Sequence, residues 1–209
     1  MISLRSFVAG GVVATLAALG AGRADALTAL EGFSGGTAYT GYHSETLGDM
    51  VGWRFSIAAP ITLTALGVWN DGDLIAPHMV GVWGEGTLLA SQEVDATEGV
   101  LSGDFYFEAI GPVSLSAGTY TIAALYTSAD GDSYISGAAS VSFAPEIAWL
   151  ASLYPSTVNA GFAEPTVVTS SFGRFGPNFQ FDVAAVPLPG AAALLAGGMA
   201  AFGALGAAR

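Results

Sequence analysis

Two turns in this chain set paired carboxylates around a glycine, Asp71-Gly72-Asp73 and Asp130-Gly131-Asp132. Clustered hard oxygens are what Ca²⁺ takes, so Asp71, Asp73, Asp130 and Asp132 are the candidate metal ligands. Neither turn is an EF-hand loop, which needs more oxygen ligands and a bidentate Glu at its twelfth position; Glu85 or Asp49 would have to be brought in by folding. Turn chemistry alone also explains both sites, because Asp bonds its neighbouring backbone and Gly tolerates the angles a tight turn needs. Beyond this Ca²⁺ option no cofactor is indicated. Gly32-Phe33-Ser34-Gly35-Gly36 has the G-x-S-x-G form of a hydrolase nucleophile, with His43 and Asp49 nearby. A nucleophile elbow needs a helix directly after its serine. Here Gly36-Thr37-Ala38-Tyr39-Thr40-Gly41 follows, a poor helix start with two Gly and two Thr, so no catalytic residue is assigned. His78 has no second His or Cys at ligand spacing and reads as a hydrogen-bonded structural histidine.

Aromatic side chains offer a different chemistry, since flat rings stack on the faces of sugars. Trp53, Trp69, Trp83 and Trp149 and seven tyrosines invite that reading. Most of these rings alternate along strand-like runs, where a core would want them, and Trp53, Trp69 and Trp83 are expected to be buried. Tyr39, Tyr42 and Tyr154 fall in expected loops and are the better sugar-facing candidates.

The elements that must position these residues are short strands. Val51, Trp53, Phe55 and Ile57 alternate with Gly52, Arg54 and Ser56, the period of two of a half-buried strand. Ile61 to Trp69 repeats the pattern and stops at Asn70-Asp71-Gly72-Asp73. Met79 to Trp83 turns through Gly84-Glu85-Gly86 onto Thr87 to Val94, a tight hairpin. Further strand-sized runs are Leu27 to Phe33, Phe105 to Ile110, Val113 to Leu115, Thr119 to Tyr126, Tyr134 to Ile135, Val141 to Phe143, Val167 to Phe172 and Phe179 to Val183. A long connection is expected from Ser34 to Met50, and one or two helical turns in Pro145 to Ser152, where Ile147, Leu150 and Leu153 have helical spacing. The expected fold is all-β, a two-sheet antiparallel sandwich of jelly-roll type, and doubly wound α/β is excluded because the helices between strands are missing.

Residues 27–185 form one acidic domain in which Arg54 and Arg174 oppose 16 carboxylates, a net charge of −14. Without clustered Lys or Arg to neutralise phosphates, nucleic acid is excluded as a partner. The charge fits a solvated, self-repelling surface. With no Cys in the chain, disulfides and thiol chemistry are excluded as well.

Both ends read as export signals. Arg5, the apolar run Phe7 to Leu19 and Ala24-Asp25-Ala26 are the three parts of a signal peptide, 1–26, with Ala24 and Ala26 marking the site for signal peptidase. Val186-Pro187-Leu188-Pro189 opens a tail, 186–209, in which the 19 uncharged residues 190–208 are long enough, at roughly 28 Å as a helix, to cross a membrane once. Val186, Pro187, Leu188 and Pro189, the short span and the basic Arg209 resemble the VPLPA variety of PEP-CTERM sorting signal of Gram-negative bacteria; the usual basic cluster is reduced here to Arg209. That resemblance implies export through the inner membrane, transient anchoring by the tail helix, processing by a membrane exosortase, and a final place at the cell surface or outside it.

A second resemblance rests on Pro60-Ile61-Thr62-Leu63-Thr64-Ala65-Leu66-Gly67-Val68-Trp69, His78-Met79-Val80-Gly81-Val82-Trp83, Gly86-Thr87-Leu88-Leu89-Ala90-Ser91 and Pro112-Val113-Ser114-Leu115-Ser116-Ala117-Gly118-Thr119-Tyr120. These segments are similar to a β-sandwich domain of unknown function found in bacterial surface and PEP-CTERM proteins, which implies a fold and a setting and no activity. Taken together, the expectation is a non-enzymatic surface or matrix protein with a structural or adhesive role, possessing extracellular polysaccharide as a partner. A carbohydrate-binding module is the alternative, and a glycan hydrolase using two loop carboxylates the more remote one.

Overall fold

The structure is a computed structural model that describes residues 26–41, 46–72, 74 and 76–183. The signal segment before Ala26, the tail from 184 onward with its sorting motif, and Tyr42, His43 and Asp73 lie outside the described residues.

The described chain is all-β with antiparallel sheets and no helix. A five-stranded sheet runs in the order β1 (Leu27–Thr28), β16 (Pro177–Val183), β5 (Ile61–Trp69), β9 (Phe105–Leu115), β8 (Val100–Ser102). A six-stranded sheet runs β14 (Val167–Thr169), β13 (Ile147–Tyr154), β4 (Asp49–Ile57), β10 (Gly118–Tyr126), β6 (His78–Gly84), β7 (Thr87–Val94). Two small sheets complete the fold: β15 (Gly173–Phe175), β11 (Ser133–Ser136), β3 (Thr37–Thr40), and the pair β12 (Ser140–Phe143) with β2 (Leu30–Ser34). Both large sheets feed one core in a sandwich-like arrangement. Val51, Trp53, Phe55, Val82 and Ile122 of the six-stranded sheet join Leu63, Leu66, Phe105, Phe179 and Phe181 of the five-stranded one.

Trp53 sits where the sheets meet. Its indole is fully buried, stacks on Phe179 with ring centres 6.1 Å apart, and touches Phe55, Phe143 and Phe175 at 5.3, 5.4 and 6.5 Å. Its ring N–H donates to the carbonyl of Pro177 at 2.9 Å, so burying the indole leaves no donor unpaired. Trp83 is also buried, but in a separate cluster with Met50 and Ala123, against which Phe162 packs. Trp69 and Trp149 are half-buried.

Bulges explain where the strands depart from simple alternation. On β5 the pairing with both neighbours shifts across Thr64, so Ile61 and Leu63 point into the core before it and Leu66 and Val68 after it. An extra residue in a ladder inverts the faces beyond it. Trp69 is thereby moved off the core face that strict alternation from Ile61 would give it. On β9 the same shift accommodates Gly111-Pro112, and the two runs expected as separate strands form one. A proline lacks an N–H to give the ladder, and a bulge is where that loss is tolerated.

The helix expected at Pro145 to Ser152 is a strand instead, β13, paired with β4. Its register shifts between Trp149 and Ala151, leaving Leu150 as the extra, exposed residue. The three-residue spacing of Ile147, Leu150 and Leu153 that mimics a helix is therefore not one buried face. The connection expected from Ser34 to Met50 also contains a strand, β3, paired with β11. The Glu85-Gly86 turn has both φ angles positive, 52° and 77°, and joins β6 to β7 as a two-residue hairpin whose twist matches its strands.

Trp53→Ala is expected to destabilise the protein by about 3–5 kcal/mol. Trp53→Phe should cost about 1–3 kcal/mol through the unpaired Pro177 carbonyl. Urea denaturation of the full-length chain followed by far-ultraviolet circular dichroism measures both; losses under about 1 kcal/mol would mean that the indole does not join the sheets.

Candidate functional site

Tyrosines gather around the three-stranded sheet. Tyr39 on β3 and Tyr134 on β11 are direct cross-strand partners, and their rings stack with centres 6.1 Å apart. Such ring pairs are a main source of sheet stability. Tyr126, at the end of β10, meets the Tyr134 ring edge-on at 5.3 Å. Tyr154, at the end of β13, adds an exposed ring. The four rings, with Asp49, Ser136, Ser171 and Arg174, line a cavity of about 300 Å³. That volume lies at the small end of the range for small-molecule sites.

Arg174 enters this cavity from a bulge. Ile135 pairs with Phe175 and Ser136 with Gly173, which leaves Arg174 as the extra residue of β15. Its φ is 64°, the left-handed region that glycine occupies freely and that costs a side-chain-bearing residue of order 1–3 kcal/mol. Ser152, fully buried on β13, holds the bulge in place: its hydroxyl donates to the Gly173 carbonyl at 2.5 Å and accepts the Gly173 N–H at 2.9 Å. The guanidinium lies over the Tyr134 ring at 5.1 Å and the Tyr154 ring at 6.0 Å. Cations are attracted to the negative face of such rings. Its Nη1 donates to the Tyr134 hydroxyl, while its Nε is buried without a hydrogen-bond partner. Asp49 accepts the backbone N–H of Asn159 at 3.1 Å on the opposite side of the chain's order, tying the 155–166 loop to β4.

Behind Tyr126 lies a buried polar cluster. The His78 ring packs on Tyr126 at 4.5 Å; its Nδ1 donates to the Leu125 carbonyl at 2.8 Å and its Nε2 faces Asp132 Oδ2 at 3.1 Å. A carbonyl can only accept, so Nδ1 is the donor of the Leu125 bond. Asp132 also accepts the Ala76 N–H, and Asp130 that of Thr127. Burial raises the Asp130 carboxyl above the usual range, against the lowering effects of the Thr127 N–H and of His78. Burial first, and the nearby carboxylates of Asp130 and Asp132 second, push the Tyr126 phenol well above its ordinary value; its hydroxyl has no hydrogen-bond partner.

The candidate residues read from the sequence are thus dispersed. Asp71 is exposed in its turn, Asp73 lies outside the described residues, and Asp130 and Asp132 point inward to backbone donors and His78. Among the described residues no group of three or more His, Cys, Asp or Glu is placed to hold a metal. Ser34 sits at the end of β2, followed by β3 and no helix. Tyr39 and Tyr154 do come together, though on strand ends rather than in loops. Sequence reasoning missed Arg174 and Ser152, and set Tyr134 among the core aromatics, where it is indeed buried. The available signal was Arg174 itself, one of two cations in an acidic domain and set between Gly173 and Phe175-Gly176.

No protein-family model matches this chain, and neither a curated protein nor a solved structure matches it.

Because Asp130 is held above its ordinary value, the folded state binds more protons than the unfolded one between the two values, and stability falls as pH rises through that window. Asp130→Asn removes that titration. Urea midpoints of wild type and variant, taken from about pH 4 to pH 7, should show wild type losing ground to the variant with rising pH; a constant difference would mean that Asp130 titrates normally.

Proposed function

We propose that this is an exported, non-enzymatic surface or matrix protein whose β-sandwich grips extracellular polysaccharide in the tyrosine-lined cavity. The observation that carries this reading is the convergence of Tyr39, Tyr126, Tyr134 and Tyr154 with Arg174 on one cavity of about 300 Å³. The rings of Tyr39 and Tyr154 can pack on the apolar faces of sugars over a floor of the buried Tyr126 and Tyr134, while Asp49, Ser136 and Ser171 add polar groups. A holding role is supported over hydrolysis by the carboxylate content. Asp49 is the one carboxylate among the described cavity-lining residues, whereas glycosidic cleavage uses two. The jelly-roll form of sandwich suits such a module, with rigid sheets presenting a site at their ends.

Delivery follows from the two ends of the chain. Signal peptidase removes residues 1–26, the helix 190–208 holds the protein in the inner membrane, and an exosortase-type enzyme acts at Val186-Pro187-Leu188-Pro189 before the protein reaches the surface. The PEP-CTERM-like tail thus supplies location and the cavity supplies adhesion.

Tyr154 is exposed enough to be removed without breaking the core. On a glycan array followed by titration calorimetry in a sugar-free detergent, the full-length chain should bind a subset of glycans, and Tyr154→Ala should weaken that binding about tenfold, roughly 1.4 kcal/mol. Absence of any bound glycan, or a variant that binds like wild type, would remove the reading. Separately, intact-mass measurement on protein from a host with an active exosortase should give a chain beginning at Leu27 and lacking Arg209; a product that retains Arg209 would refute the sorting step.

A further inference from the structure

Resting on that reading, we infer that the cavity selects acidic saccharides, with Arg174 taking the carboxylate of a uronic acid residue. The domain carries 16 carboxylates and two arginines, yet among the described residues Arg174 forms no ion pair. A guanidinium surrounded by so much negative charge has partners at every side unless the fold holds it away from them. Here the fold does so. The bulge, the left-handed φ of 64° and the two hydrogen bonds from Ser152 to Gly173 aim Arg174 at the cavity rather than at the acidic surface.

Its remaining donors define the ligand. The Tyr134 hydroxyl takes Nη1, and the Tyr134 and Tyr154 rings take its faces. What is left is the Nε edge, with Nε buried and unpartnered. Together with Nη2 that edge is a two-pronged fork whose spacing matches the two oxygens of a carboxylate. A sugar hydroxyl satisfies one prong only. The second, independent sign is Tyr126, nearly fully buried on the same cavity wall with its hydroxyl unpartnered, a further donor for an anionic oxygen.

The net charge of the domain sharpens the test. At −14 it repels polyanions at a distance, so non-specific adsorption cannot supply uronate binding, and any that is measured reports a local site.

The experiment titrates the full-length chain, in a sugar-free detergent, with oligogalacturonate, oligoglucuronate and oligomannuronate and with the carboxyl-reduced form of each. At least one uronate should bind about tenfold or more tightly than its reduced counterpart. Arg174→Gly should abolish that preference, so that native and reduced saccharides bind the variant alike. Glycine adopts the left-handed backbone freely, which offsets part of what the lost side-chain contacts cost, and a melting curve of the variant beside wild type separates lost binding from unfolding. Arg174→Lys, which keeps the charge and loses the fork, should retain only part of the preference. Equal binding of native and reduced saccharides by wild type, or a preference that survives Arg174→Gly, would overturn the inference while leaving a neutral-glycan cavity standing. Binding of neither set, with no other glycan bound on the array, would remove both readings.

Discussion

The indole of Trp53 is the constraint from which the rest of the molecule follows. It joins the six-stranded sheet to β16 through Phe179 and the Pro177 carbonyl, to β12 through Phe143 and to β15 through Phe175. Three strands, one from each of the three other sheets, thus read their position from one side chain. The link to β15 matters most for the site, because Phe175 is the residue after Arg174. A core contact therefore fixes where the guanidinium starts, and Ser152 fixes the backbone on its other side. Binding groups on rigid strands hold their geometry better than groups on loops, which is the setting a preorganised site needs.

Polar satisfaction shapes the neighbourhood in the same way. Asn178, fully buried on β16, accepts the Leu30 N–H and donates to the Leu30 carbonyl, replacing with a side chain the pairing a strand would have supplied. Asp130 and Asp132 do similar work by accepting the backbone N–H groups of Thr127 and Ala76, and His78 by donating to the Leu125 carbonyl, so that burial leaves these groups paired. Asp130 and Asp132, which look like metal ligands in the sequence, are in this fold bonded by the chain itself. Tyr126 stands between this cluster and the cavity, touching His78 on one side and Tyr134 on the other.

The period of two made the all-β class, the β4 core face and the hairpin at Glu85-Gly86 legible from residue types alone, because alternation on a strand and positive φ in a tight turn are local properties. The failures have a common cause. At Thr64, Pro112 and Leu150 a bulge interrupts alternation, and a bulge is decided by the partner strand, which lies far away in sequence. Arg174 was hidden for the same reason. Its position as the extra residue opposite Ile135 and Ser136 exists only once β11 and β15, far apart in the chain, have paired. Tyr39 and Tyr154 were legible as candidates by type, and their convergence with Tyr134 belongs to the fold.

The antiparallel pairing of Leu27 with Phe181 brings the start of β1 and the end of β16 to the same edge of the five-stranded sheet. The cavity's arginine stands only three residues before Pro177, where β16 begins. In a molecule held at its tail and pulled through a ligand on Arg174, the load passes along β16 itself. That strand lies between β1 and β5 and is paired with β5 from Pro177 to Val183. Both ends of that pull lie on one strand, so the covalent backbone carries the tension and the transverse hydrogen bonds on either side hold the strand in place without bearing the load. A load of that kind bypasses the rest of the sandwich, whose strands carry little of the strain.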